Sequence, residues 1–106
     1  MGLLDFFQSK PSGPGLSQME AIVINATDNF EGIELEYKWI SEKFGTKGID
    51  WNLRNQGVES KNGRNYDQIS IVTKDGSAVT IWFDITNFYG KIPTKESMEK
   101  FFQKLN

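Results

Sequence analysis

The sequence contains neither cysteine nor histidine. The absence of histidine removes the usual general base near neutral pH, and the absence of cysteine removes the thiolate nucleophile. These two residue types are also the commonest ligands of zinc, copper, haem iron and iron–sulfur clusters. Catalysis by Ser–His–Asp or Cys–His groups of this chain is therefore excluded, no disulfide can stabilise the fold, and we expect no cofactor.

Clustered charge and long apolar runs are also missing. Twelve Lys and Arg residues stand against fourteen Asp and Glu residues, so the formal net charge is −2. A nucleic-acid surface needs clustered cations to displace counterions from phosphates, and we expect no nucleic-acid partner. No apolar stretch approaches the roughly 20 residues that cross a bilayer, and the amino-terminal sequence lacks the cationic region of a signal peptide. We therefore expect a cytoplasmic protein without stable membrane insertion.

What is present suffices for one domain, preceded by an apolar segment. The 106 residues are 38% hydrophobic and 25% charged, which is typical of a small globular protein. Residues 1–10 include Leu3, Leu4, Phe6 and Phe7 and predict a short helical arm, and the Pro/Gly/Ser-rich residues 11–18 predict a flexible linker. Three alternatives stay open for the arm: it folds onto its own domain, docks on another chain, or lies on a membrane surface. The domain itself is expected over residues 19–106.

The longest predicted helix lies between Asp28 and Gly45. Asp28 stands three residues before Glu31, the spacing of a capping box, and Gly45 is suited to end the helix. The apolar residues at helical spacing are Ile33, Tyr37, Ile40 and Phe44. The carboxylates of this helix, Glu34 and Glu36 among them, are expected on a solvated face.

Two shorter elements flank this helix and the strands that follow it. The apolar run of residues 21–25 predicts a short buried strand. A final helix is predicted after Pro93-Thr94, with Met98, Phe101, Phe102 and Leu105 at helical spacing.

Two turn sequences, Asn62-Gly63 and Asp75-Gly76, predict two hairpins. A one-residue change of register moves every side chain to the other face of a sheet, so the apolar pattern selects the loop length. The pattern favours three-residue loops with Gly63 and Gly76 in the left-handed conformation. The predicted pairs are then Ile71 with Val79, Ile69 with Ile81, Leu53 with Ile71, and Trp51 with Thr73.

The predicted fold is therefore an α+β single domain of order α-β-α-β-β-β-α. A three-stranded antiparallel meander and one further strand form the sheet, and the long helix packs on one sheet face. The face toward the helix is predicted to carry Trp51, Leu53, Ile69, Ile71, Val79, Ile81, Phe83 and Ile85. The other face is predicted to carry Tyr66, Ser70, Val72, Ala78, Thr80, Trp82 and Asp84.

Aromatic residues give the main functional indication. Fourteen Phe, Trp and Tyr residues exceed what one small core can conceal, and exposed aromatic surface is typical of contact sites. The alternative is that the terminal helix and the amino-terminal arm cover the second sheet face. The sequence favours a non-enzymatic interaction module that binds a protein partner or itself. The candidate contact residues are Phe6, Phe7, Tyr66, Trp82 and Tyr89.

A second hypothesis assigns chemistry to two aspartates. Asp67 is predicted opposite Phe83 at the edge of the apolar face, where burial raises a carboxyl pKa. Asp84 is predicted beside Tyr66 and Trp82, a setting found in polar ligand pockets. The alternative function is therefore a small-ligand-binding protein or a carboxylate-dependent enzyme that uses Asp67 or Asp84.

Overall fold

The structure, a computed structural model, describes residues 12–105 and shows one four-stranded sheet with two helices. The elements are β1 (Ile22–Val23), α1 (Asn29–Phe44), β2 (Trp51–Lys61), β3 (Arg64–Thr73), β4 (Ala78–Asp84) and α2 (Lys95–Leu105). The strand order is β1-β4-β3-β2, in which β1 is parallel to β4 and the other neighbours are antiparallel. The α+β prediction, with a meander, a further strand and a long helix, is confirmed. The arm predicted over residues 1–10 lies outside the described residues.

Helix α1 begins and ends where the sequence predicts. The Asp28 carboxylate accepts a hydrogen bond of 3.0 Å from the backbone N–H of Glu31, and the Glu31 carboxylate accepts one of 3.3 Å from the backbone N–H of Thr27. These contacts satisfy amides that the first helical turn leaves free. At the other end, Gly45 has φ 104° and donates its N–H to the carbonyl of Ser41 at 2.9 Å.

The β3–β4 hairpin has the predicted register. Ile71 pairs with Val79 and Ile69 pairs with Ile81, and Gly76 has φ 89°. The Gly76 N–H donates to the carbonyl of Thr73 at 2.9 Å, which closes the turn before the left-handed residue. The three-residue loop at Gly76 is therefore confirmed.

The β2–β3 turn differs from the prediction. Lys61 pairs with Arg64, so the loop contains two residues rather than three, and Asn62 (φ 53°) and Gly63 (φ 75°) are both left-handed. This is the backbone of a type I′ turn, which Asn tolerates because its short side chain allows the left-handed conformation. The three-residue loop predicted at Gly63 is wrong.

A bulge in β2 nevertheless restores the predicted pairs at the other end of the hairpin. The register shifts between Leu53 and Asn55, which leaves Arg54 as the extra residue. Leu53 therefore pairs with Ile71, as predicted, although the loop is one residue shorter. Before the bulge the odd-numbered residue Leu53 faces the helix, and after it the even-numbered residues such as Gln56 do.

The core lies between α1 and the sheet. Trp39 meets Phe83 edge-to-face at 5.8 Å between ring centroids, and the backbone of Gly32 lies so close to the Phe88 ring that a Cβ there would overlap it. The buried apolar cluster consists of Ile22, Ile24, Ile40, Trp51, Ile69, Ile71, Ile81, Phe83, Ile85 and Phe88. Two residues of the predicted core face are not fully buried: Val79 is half-buried and Leu53 is 39% exposed.

Residues 12–15, part of the predicted linker, form hydrogen bonds with the sheet and its surroundings. The Ser12 hydroxyl accepts from the backbone N–H of Val23 at 3.1 Å, and Gly15 accepts from the N–H of Trp82 at 2.8 Å. The outer edge of β1 is therefore partly occupied by the chain itself.

The left-handed conformation of Gly76 makes a direct stability prediction. Its φ of 89° is unfavourable for residues with a Cβ, and a Cβ there would have nothing within 4 Å, so any cost arises from the backbone alone. We expect Gly76→Val to lower the free energy of unfolding by about 1–2 kcal/mol and Gly76→Asn to cost less. Urea denaturation of both variants measures this difference, and equal costs would contradict the turn geometry.

Candidate functional site

Strand β2 forms one edge of the sheet and is almost entirely exposed. It is the longest strand, with 11 residues, and only its first residue, Trp51, is buried. Within residues 12–105, β3 is the only strand that pairs with β2. An edge strand of this kind presents a row of N–H and C=O groups that another strand can bind.

The open side of β2 follows from the position of α1. The helix packs over β3 and β4 and reaches β2 through Tyr37, whose ring stacks on Trp51 at 6.2 Å between centroids. Beyond Trp51, the described part of the chain leaves the helix-facing side of β2 largely uncovered: Leu53 is 39% and Val58 50% exposed. Ile33, one helical turn before Tyr37, is also exposed. We call residues 52–61, with Leu53 and Val58 on the helix-facing side, the β2 edge surface.

The bulge at Arg54 determines which β2 residues share a side. Leu53, Gln56 and Val58 all face the helix, because their β3 partners do. Those partners are Ile71, Ile69 and Asp67. Glu59 lies on the opposite, outer side, as does its partner Tyr66. The edge therefore has an apolar side toward the helix and a charged outer side.

A buried pair of carboxyl groups lies beside this edge. Asp67 is confirmed as the partner of Phe83 and is buried, and its two carboxylate oxygens accept bonds of 3.2 and 3.0 Å from the Gln56 side-chain amide. Glu36, only 1% exposed, reaches Asp67 from α1. Burial, with the hydrogen bond and charge of Asp67, raises the pKa of Glu36 to about 10. Glu36 is therefore protonated at neutral pH and hydrogen-bonded to Asp67.

The burial of Glu36 was not predicted. The solvated-face prediction holds for Glu34, which is exposed, and is wrong for Glu36. The signal was its spacing, because Glu36 lies four residues from each of Gly32 and Ile40, the other two buried residues of α1. One oxygen of Glu36 has no hydrogen-bond partner among the described residues.

Asp84 is also buried but lies on the outer face of the sheet. Arg64 Nε donates to its Oδ2 at 2.6 Å, and the Thr86 hydroxyl and N–H donate to its Oδ1 at 2.6 and 3.1 Å. Burial alone raises the pKa of Asp84, but the hydrogen bonds from Arg64 and Thr86 outweigh it and hold the pKa below its usual value. Asp84 is thus an ionised, paired carboxylate. Asp67 and Asp84 lie on opposite faces and form no common site.

Two of the predicted contact aromatics, Tyr66 and Trp82, lie side by side on the outer face of the sheet. Tyr66 is buried, and its ring meets that of the half-buried Trp82 edge-to-face at 6.5 Å. Tyr89 is 49% exposed, while Phe6 and Phe7 lie outside the described residues. The structure brings Tyr66 and Trp82 together on the outer face, as the register predicts, but Tyr66 offers little surface to a partner.

One alternative for the aromatic residues placed the terminal helix over the outer face of the sheet, but its contacts are with α1. Helix α2 contacts α1, and the Ser97 hydroxyl hydrogen-bonds to the Asp28 carboxylate at the start of α1. An open groove of about 350 Å³ beside Tyr66 is lined in part by Gln18 and Met19, which precede β1. Part of the outer face is therefore bordered by residues that precede β1.

Another open groove, of about 300 Å³, lies between β1 and α1. Ile24, Leu35 and Trp39 contribute apolar surface, and Lys38 and Glu42 contribute charges of opposite sign. The adjacent edge of β1 already binds Ser12, so this groove lacks the free strand edge that β2 offers.

Comparisons with known proteins give no further identification. The chain matches no protein-family model, and neither curated proteins nor solved structures give a match. Residues 12–105 include no helix that is long and apolar enough to cross a membrane. The same part of the chain holds no group of three or more acidic residues arranged to hold a metal ion. The inferences below therefore rest on the fold and on the chemistry of its surfaces.

Proposed function

We propose that this chain is a non-enzymatic protein-interaction module of the cytoplasm that binds through the β2 edge surface. The observation that carries the proposal is an 11-residue edge strand with exposed Leu53 and Val58 on its helix-facing side. A partner strand added at this edge would pair with backbone groups that no strand of residues 12–105 occupies. One of these groups, the Gln56 N–H, donates to the Asn55 side-chain oxygen at 2.8 Å, so Asn55 would have to exchange this bond for one from the partner. It would also remove the two apolar side chains from water.

The alternative, chemistry at Asp67 or Asp84, has less support. Both carboxylates are held by hydrogen bonds from their own chain, Asp67 by Gln56 and Asp84 by Arg64. A buried carboxylate that is paired in this way contributes to a unique packing arrangement. The contacts therefore favour a structural role for both aspartates.

Site-specific photo-crosslinking in the native cell tests the proposed surface. A photoreactive amino acid is placed at Val58, within the β2 edge surface, in the full chain. We expect covalent adducts at this position, because a strand bound at the β2 edge brings partner atoms against the Val58 side chain. The adducts are separated by size and identified by mass spectrometry.

A matched control uses Ile92, an apolar residue that is 84% exposed and lies outside the sheet. The proposal expects adducts at Val58 well above those at Ile92. Equal yields at the two positions would contradict it. The photoreactive amino acid is also placed at Trp82 and at Tyr89. Adducts at these positions and none at Val58 would show that the contact surface is the aromatic one that the sequence predicts, and not the β2 edge surface.

A further inference from the structure

We propose that the partner of the β2 edge surface is a second copy of this chain. In this dimer the two β2 strands pair antiparallel across a twofold axis at Gln56, and the two sheets become one continuous sheet of eight strands. This inference rests on the proposed function and names its partner. Its basis is that both sides of β2 are self-complementary in this register.

On the helix-facing side, the bulge makes the apolar residues symmetric about Gln56. Leu53 and Val58 lie three and two residues from Gln56 in sequence. On β3, however, their partners Ile71 and Asp67 each lie two residues from Ile69, the partner of Gln56. The two distances are equal because the bulge residue Arg54 has no partner on β3. A twofold axis at Gln56 therefore sets Leu53 of one chain directly opposite Val58 of the other. The two resulting Leu–Val pairs cover four side chains that are exposed in the single chain.

On the outer side, the same axis brings opposite charges together. Arg54 lies before the axis and Glu59 after it. Glu59 shares the outer face with its partner Tyr66, and we infer the same side for Arg54 because the bulge sets it beside Asn55 opposite Ser70. Antiparallel pairing about Gln56 makes Arg54 of one chain a diagonal neighbour of Glu59 of the other. Diagonal neighbours in a sheet lie about 7–8 Å apart, within reach of long side chains. The twofold axis repeats this ion pair, so two are formed.

The backbone of β2 allows such pairing once the Asn55 side chain releases the Gln56 N–H, to which it is bonded at 2.8 Å. The strand contains no proline, and Gly57, which lies next to the axis, has nothing within 4 Å of the position of a Cβ. A twofold axis perpendicular to the sheet keeps both copies of α1 on the same side. The two helices would then flank the Leu53–Val58 pairs as α1 now flanks the core.

Charge reversal in the full chain tests the partner and the register together, with the dimer dissociation constant measured by sedimentation equilibrium. Arg54→Glu and Glu59→Arg are each expected to weaken the dimer about tenfold, because two symmetric pairs change from attraction to repulsion. The double variant is expected to return to within about twofold of the native chain. Restoration requires that both residues of each pair come from copies of this chain.

Cysteine crosslinking gives an independent test, which the cysteine-free sequence makes unambiguous. Gln56→Cys places two thiols at the twofold axis, and we expect a disulfide-linked dimer under mild oxidation. Ser60→Cys, on the same side of β2 but four rows from the axis, is expected to stay unlinked.

The outcomes separate this inference from the proposed function. A chain that is monomeric at millimolar concentration, or a dimer that the charge reversals leave unchanged, overturns the second-copy inference. Photo-crosslinked adducts of Val58 with a different protein then still support the interaction module. A dimer that the double reversal restores and Gln56→Cys crosslinks supports both. Absence of Val58 adducts, together with unlinked Gln56→Cys chains, contradicts both.

Discussion

Glu36→Gln is expected to remove a loss of stability that the native chain undergoes as the pH rises from about 5 to about 9. Burial and Asp67 raise the pKa of Glu36 to about 10, above its value in the unfolded chain. The folded state therefore keeps a proton that the unfolded state releases. The stability from Glu36 is complete below the unfolded pKa and declines as the pH rises through the folded pKa. The decline has an upper limit of about 1.4 kcal/mol per pH unit.

Glutamine is the informative replacement because its amide can donate to Asp67 without titrating. The free energy of unfolding is measured by urea denaturation at several pH values for the native chain, Glu36→Gln and Glu34→Gln. Glu34 lies on the exposed side of the same helix, so its variant is expected to retain the native pH dependence. An unchanged slope in Glu36→Gln would contradict the protonated, buried state of Glu36.

Trp51→Ala is expected to lower the free energy of unfolding by about 3–5 kcal/mol. The side chain is 1% exposed, stacks on Tyr37 of α1, and donates its Nε1–H to the carbonyl of Gly45 at 2.8 Å. It therefore links the start of β2 to the end of α1. Its removal leaves a cavity and an unpaired carbonyl at the same point.

Trp51→Phe separates these two contributions. Phenylalanine keeps a ring against Tyr37 but loses the bond to Gly45, and we expect a smaller cost of about 1–2 kcal/mol. The free energy of unfolding of each variant is measured by urea denaturation, and the dependence of this free energy on urea concentration is compared between the variants. A cost for Trp51→Ala no larger than that of an exposed substitution would show that this residue does not join helix and edge strand.

The β3–β4 register was predictable because the alternation of Ile69, Ile71, Val79 and Ile81 selects one loop length. Asp75-Gly76 marks the position of the turn but by itself favours a two-residue loop, and the apolar pattern outweighs that preference. The β2–β3 hairpin offered less, because β2 has only scattered apolar residues. A two-residue turn with a bulge and a three-residue turn give the same pair of Leu53 with Ile71, so the pattern could not distinguish them.

Residues outside the apolar pattern account for the other differences. Glu36 was expected in water because a carboxylate at neutral pH is charged, and its burial depends on Asp67 and Gln56 arriving from the sheet. Leu53 was expected in the core because it lies on the helix-facing side. The alternation of residues in the sequence predicts the face of the sheet on which a side chain lies. How many strands α1 covers depends on how the helix packs, which the alternation does not predict. This difference exposes Leu53 and Val58 and creates the β2 edge surface.

Amide hydrogen exchange of the assembled native chain tests most directly whether β2 is the contact edge. Exchange is measured residue by residue in dilute solution and at a concentration where sedimentation shows the assembly. We expect slower exchange in the assembly for those amides of residues 52–60 that point away from β3, and unchanged exchange for residues 91–94, which lie outside the sheet. Exchange that is unchanged by assembly throughout β2, with new protection confined to the groove between β1 and α1 or to α2, would contradict it.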